Sequence, residues 1–396
     1  MSTDTDKERF CEPGRIIFRK DQMCNVRELL LANVVMAAEI PAPTGSEKLL
    51  TRFLSDRFTE AGLTDIASDQ AGNIAGVIPG RDRQRNLLVA AHVDKIWPEA
   101  DDHTVAVKVG SMSGRGIADN SLGVAVLATL PLILEKLGIE LESNVILLGT
   151  TRSFGRGDLA GMRFFLENID KPIAGALCLE GIELGRLSHA SMGMARGEVR
   201  VELFGEDSDG EFSHAGAILI LQQVLSGLFE LNQAHQPEAK ILIGTVDAES
   251  GYNVPPLSGE IRFEIRGGDA DQVEVVERGV ADLVGRIDQE CDDALVSVEM
   301  IAHRQPGDLG ADHKFVSAAK EIQDCLGIDT ELHPSISELA ALLEAEIPAL
   351  TLGIAEGGNR HSPRETIQLE RLPEGLAQIV SVIEFMDSQL SDKVTS

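Results

Sequence analysis

Four side chains able to bind a metal ion stand where this 396-residue chain changes character. His92 closes the apolar run Leu87-Leu88-Val89-Ala90-Ala91, and Asp119 follows Gly116-Ile117-Ala118 just before a long apolar segment. Glu180 closes the apolar residues 174–179, and His361 follows Gly357-Gly358. Alone, either histidine reads as an ordinary residue; the weight lies in convergence, because metal sites need several donors together. Mixed imidazole and carboxylate donors suit zinc, cobalt or manganese better than copper or calcium. Asp94, two residues beyond His92 and on the same face of an extended chain, is placed to hydrogen-bond the free ring N–H and fix its tautomer.

The surrounding pattern supplies strand ends for these donors. Helical periodicity over 26–40 stops at Pro41 and Pro43, where the chain cannot continue a helix. A helix over 47–61 and a strand over 73–78 follow. The buried strand 86–91 then leads to His92, and Asp119, Asn120 and Ser121 are each suited to N-cap a helix over 122–137. Strand 144–149, helix 159–168 and strand 174–179 continue the alternation, the signature of an α/β, doubly wound, mostly parallel sheet. Such sheets bind ligands at the carboxyl ends of their strands.

From Gly193 the order becomes strand 198–204, helix 215–234, strands 240–246 and 261–266, helix 272–289 and strand 295–301, a ferredoxin-like β-α-β-β-α-β unit. It reads as an insert over 193–303, splitting a catalytic domain into 1–192 and 304–396. Helices over 312–326, 336–343 and 374–390 and a strand over 349–353 complete the second part. The first twenty residues carry no apolar period and read as a tail or a docking arm.

Composition excludes several classes of partner. A formal charge of −29 disfavours nucleic acid and anionic membranes. No apolar run reaches the roughly 18 residues that span a bilayer. The N-terminus lacks a secretory apolar core, and the five cysteines are odd in number and form no CxxC pair, which points to the cytoplasm.

The series EIPAPTGSE, GNIAGVIPG, AAHVDKIWP, GRGIADNSLGVA, GRLSHASMGMARGEV, HAGA, YNVPP with GEIRFEIR, SELAALLEAEIPALTLG and GGNRHSPRE runs nearly end to end. In this order it resembles the metallopeptidase family of peptidase T, aminoacylase, glutamate carboxypeptidases and succinyl-diaminopimelate desuccinylase. The resemblance implies hydrolysis of a peptide or amide bond by water shared between two zinc ions, with a glutamate moving the protons. It makes His92 and Glu180 ligands of one metal, Asp119 the bridging carboxylate, His361 a ligand of the second metal, and Asp94 the partner that orients His92. It also implies that His214 reaches a partner subunit's active site in a homodimer built through the insert, and that Asn253 and Arg266 contact substrate.

One departure stands out. The family's Glu-Glu pair, general base and second-site ligand, falls on Arg152-Ser153 when GTTRSFGRG is aligned on its glycines. Arginine keeps its charge at neutral pH and cannot act as the base. The expectation is that the Arg152 guanidinium pairs with Asp119 where a second metal would stand, leaving one ion rather than two. A shifted alignment would instead call on Asp158, Glu183 or Glu365 as base. Three readings follow: a metal-dependent hydrolase of a peptide or N-acyl amino acid, a catalytically inactive relative that binds such a ligand in the retained cleft, and, between them, a single-metal enzyme with altered chemistry.

Overall fold

A computed structural model describes residues 13–204 and 215–391. The chain divides into two compact units, Met1–Ala190 with Asp308–Ser396, and Ser191–Gly307.

In the first unit, strand Asp82–His92 lies between Ser143–Thr150 and Ile173–Ile182, and Ala349–Ala355 lies beyond the latter. These four strands run parallel. Thr64–Ser68 and Ile74–Ile78 extend one edge, and Arg186–Ser188 and Glu331–Leu332 the other. Leu87, Val89 and Ala91 face a core formed with the helices Leu122–Lys136 and Leu372–Ser391. Leu88 and Ala90 face a second core with Met162 and Leu339, from the helices Ala160–Asn168 and Glu338–Glu344. Burial on both faces explains why the strand sequence is a continuous apolar run rather than an alternation. The chain adds Ser143–Thr150 on one side of Asp82–His92 and then crosses to add Ile173–Ile182 on the other. This reversal opens a crevice at the strands' carboxyl ends.

The segment Ile117–Lys136 is long and apolar enough to cross a membrane by length and composition, but 89% of its apolar stretch is buried inside the unit. It is the core helix of this layer.

One expectation is narrowed and two need correction. Of the two readings of the N-terminal stretch, residues 13–20 fit the docking arm and not the tail: Pro13–Gln22 is a helix that buries Ile16 and sets Arg19 against Ser381 Oγ at 2.9 Å and against Glu384. Proline at a first helical position loses no hydrogen bond, so Pro13 starts this helix at little cost. Of the three candidate caps, Asn120 does the work, its Oδ1 accepting Gly123 N–H at 3.2 Å; the Asp119 carboxylate is committed elsewhere. Glu180 lies within its strand, Ile173–Ile182, not beyond it.

A small sheet that the sequence did not signal joins Ala106–Lys108, Ser111–Ser113, Thr366–Gln368 and Gly357–Gly358. It pairs the segment preceding Asp119 with the two flanks of the His361 loop.

The second unit is a four-stranded antiparallel sheet in the order Ala239–Asp247, Ser258–Gly267, Gly193–Leu203, Ala294–Arg304. Helices Ala217–His235 and Ala270–Glu290 cover one face through Leu221, Val224, Val276 and Val280 packed on Val199, Val201 and Phe263. The β-α-β-β-α-β order and this strand arrangement are ferredoxin-like.

Candidate metal centre

Neighbouring parallel strands deliver the first two donors. Ala90 pairs with Cys178 across them, so His92 and Glu180, each two residues further on, stand level at the mouth of the crevice. Asp119 comes from the irregular turn Ile117–Ser121, where it has φ −133° and ψ 90° and its peptide bond to Asn120 is cis. The turn lies hard against the strand that carries Glu180. A Cβ at Gly181 would stand 2.2 Å from the Ala118 carbonyl oxygen, so only glycine permits the approach. Asn120 Nδ2 fastens the turn by donating to the Leu179 carbonyl at 2.8 Å. Gly116 enters the turn at φ +68° against the buried Lys95 side chain.

His361 arrives on a different loop, and one carboxylate joins the two. Glu365, fully buried, accepts Ala118 N–H and Asp119 N–H on Oε2 at 3.1 and 3.2 Å, and His361 N–H on Oε1 at 3.0 Å. Burial pushes its carboxyl above the ordinary range, although the three backbone donors pull the other way.

The donors converge on Asp119. His92 Nε2 lies 2.9 Å from its Oδ1, and His361 Nε2 lies 2.9 Å from its Oδ2. Ligand atoms of His92, Asp119 and Glu180 all lie within 4.8 Å of one another, and all three residues are buried. His361 is half exposed. The Phe154 ring meets His92 edge-on at 5.0 Å and His361 at 6.3 Å between centroids.

Asp94 fixes the geometry from behind. Its Oδ2 accepts from Thr44 Oγ1 at 2.8 Å, Ser153 N–H at 2.8 Å and Phe154 N–H at 3.0 Å. His92 Nδ1 faces the Asp94 carbonyl at 3.2 Å and Asp94 Oδ1 at 3.6 Å. With two acceptors before it, Nδ1 keeps its proton when Nε2 gives up its own to bind an ion.

Burial alone would lower the His92 pKa, but hydrogen bonds to Asp119 and Asp94 outweigh it and hold the imidazole well above its ordinary value. Burial likewise opposes ionisation of Asp119, yet His361 and His92 hold its carboxyl well below the ordinary range. Protons on the His92 imidazole thus help balance the buried charge of Asp119. A divalent ion would displace those protons and take over their role. One nitrogen and two carboxylates, with a position left over, fit a single zinc-type ion.

Ser153 donates its hydroxyl to Glu338 Oε1 at 2.5 Å, which commits it away from the ligand cluster. Arg152 is exposed at φ +55°, with its backbone N–H on Glu47 Oε1 at 3.0 Å. The guanidinium at the carboxylates is not that of Arg152, as expected, but that of Arg360. Its Nη2 lies 3.2 Å from Glu180 Oε2 and its Nε 3.6 Å from Asp119 Oδ2.

Arg360 and Glu338 escaped sequence reasoning. Arg360 adjoins His361, but an arginine among acids has no spacing signature. Glu338 lies in the quoted SELAALLEAE stretch and looks like a helix-start acid; it is buried, its carboxyl raised by that burial, and it accepts Thr150 Oγ1 at 3.2 Å as well as Ser153. Of the substitute bases, Glu365 has both oxygens on backbone N–H groups, and Glu183 pairs with Arg186 at 2.9 Å. Asn253 and Arg266 belong to the second unit, Asn253 exposed and Arg266 on Glu264. His214 lies outside the described residues.

Two outcomes follow. Zinc binding followed by calorimetry in buffers of different ionisation enthalpy should release protons at neutral pH, because His92 must lose its proton to bind. Affinity should accordingly weaken as the pH falls. Asp94→Asn, which removes a charge behind His92, should weaken zinc affinity by about 10–100-fold.

The sequence profile of the family described as "Peptidase family M20/M25/M40" matches residues 88–384. No curated protein sequence matches the chain. Among solved structures, a tripeptidase from Staphylococcus aureus subsp. aureus Mu50 is similar at TM-score 0.71 and 17% identity, covering 91% of this chain and 99% of that one. The di-peptidase Dug1p of Saccharomyces cerevisiae is similar at TM-score 0.77 and 13% identity, over 96% and 99%. Human carnosine dipeptidase 1 is similar at 0.76 and 13%, over 95% and 100%. At these identities the structures speak to fold. The profile match takes in most of the chain, from the strand bearing His92 to the last helix, and the protein belongs to peptidase family M20/M25/M40.

Proposed function

We propose that this metal-dependent hydrolase of peptide or amide bonds acts on small peptides or N-acyl amino acids with a single zinc, cobalt or manganese ion. The observation that carries the reading is the convergence of His92, Asp119 and Glu180 within 4.8 Å at the carboxyl ends of adjacent parallel strands. These three would hold the ion, with His361 on the far oxygen of Asp119. The ion, when bound, supplies Lewis-acid polarisation of the reacting oxygens.

The chain's own residues do the rest. Asp94 sets the tautomer of His92, and Phe154 walls the two imidazoles with apolar surface. His361, half exposed, faces the far oxygen of Asp119, and Arg152 keeps its charge and cannot act as a base. His214, Asn253 and Arg266 are proposed to contact substrate. The printed names of the similar structures, tripeptidase and dipeptidases among them, support short peptides as the substrate class. The net charge of −29 disfavours nucleic-acid and anionic-membrane partners, and the scattered cysteines without a CxxC pair fit a cytoplasmic protein.

A homodimer through the second unit is part of the reading. Ala239–Asp247 is an edge strand that exposes Leu242 and Val246, and the helix Ala217–His235 exposes Ile218 and Phe229. An edge with free backbone groups and apolar side chains favours pairing with another chain.

A panel of dipeptides and N-acyl amino acids, assayed with and without added zinc, cobalt and manganese, tests the activity. Metal-dependent turnover is expected, with Glu180→Ala losing both turnover and bound ion. Metal loading without hydrolysis of any member would favour the ligand-binding relative. Light scattering at micromolar concentration should give a dimer mass, and Val246→Arg should shift it to the monomer; a monomeric wild type would remove the dimer.

A further inference from the structure

We propose that Arg360 is a resident cation of this centre: its guanidinium takes the charge-balancing place of a second metal ion and limits the site to one. The inference rests on the metal-centre reading above and adds to it the group that sets the ion count.

Consecutive residues of one loop address the same carboxylate oxygen. His361 Nε2 lies 2.9 Å from Asp119 Oδ2, and Arg360 Nε lies 3.6 Å from that atom. Asn359 and His361, on either side of Arg360, have φ of 58° and 61°. Left-handed conformations rarely adopted by side-chain-bearing residues thus bend the loop on both sides of the arginine. The same bend that delivers the imidazole delivers the guanidinium, whose Nη2 reaches Glu180 Oε2 at 3.2 Å. Arg360 therefore bridges two of the three donors proposed for the first ion.

Charge and donors agree with this placement. Asp119 and Glu180 together carry two negative charges; one dication and Arg360 already supply three positive ones, and a second dication would raise that to five. The position from which a third protein donor for a second ion would come is Ser153, whose hydroxyl is held by Glu338. One solved structure with this fold, at TM-score 0.57 and 17% identity, is named as a dinuclear metal-binding peptidase. In the present centre a side-chain cation, Arg360, stands against Asp119 and Glu180.

Arg360 is largely buried, and the charges of Glu180 and Asp119 raise its pKa against the effect of that burial. The guanidinium keeps its charge at every physiological pH.

Chelator-stripped protein, titrated with zinc by calorimetry and counted by elemental analysis after gel filtration, tests the proposal. The wild type should hold one ion per chain, and so should Ser153→Glu. Arg360→Gln combined with Ser153→Glu should hold two. Arg360→Gln alone should bind its single ion about tenfold or more tightly, because a repelling charge has gone; this arm stands even if the double variant fails to fold by circular dichroism. Two ions on the wild type, two on Ser153→Glu, or no tightening in Arg360→Gln would each overturn the role of Arg360. No ion on the wild type would instead overturn the metal centre beneath it.

Discussion

Two carboxylates cannot be buried side by side at the end of a sheet unless positive charge comes with them, and the first unit is arranged around that constraint. Asp119 and Glu180 are each less than a tenth exposed, and isolated buried anions of this kind are costly. His92, His361 and Arg360 all approach them, from one strand end and one loop. The catalytic ion enters a neighbourhood already organised to receive positive charge.

Precision in that neighbourhood comes from groups that do not bind the ion. Asp94 gathers Thr44, the Ser153-Phe154 backbone and the His92 ring around one carboxylate. Gly181 lets the Asp119 turn press on the neighbouring strand, and Asn120 fastens it there. Outer contacts of this kind orient ligands and tune their basicity.

Much of this was legible in the sequence, for physical reasons that differ by residue. Continuous apolar runs betrayed the strands ending in His92 and Glu180, because burial on both faces leaves no polar positions. The ferredoxin-like order of the second unit was readable because its strands alternate and its helices are long. The ordered motifs carried the family. The identity of the arginine at Asp119 was not readable: Arg152 occupies the aligned position, but a left-handed backbone directs the chain there differently, and Arg360 comes from some two hundred residues away. Pro13–Gln22 was missed because a short amphipathic helix that docks through Ile16 and Arg19 shows no periodic apolar stripe long enough to notice.

The clasp formed by Glu365 has a consequence for how the centre fails. Because one carboxylate grips the backbone of both the Asp119 turn and the His361 loop, neither loop can drift without slackening the other. Damage anywhere along that linkage is shared at once by donors 242 positions apart in the chain. The centre should therefore lose its hold in a single cooperative step, as a latch releases, instead of shedding its donors in turn.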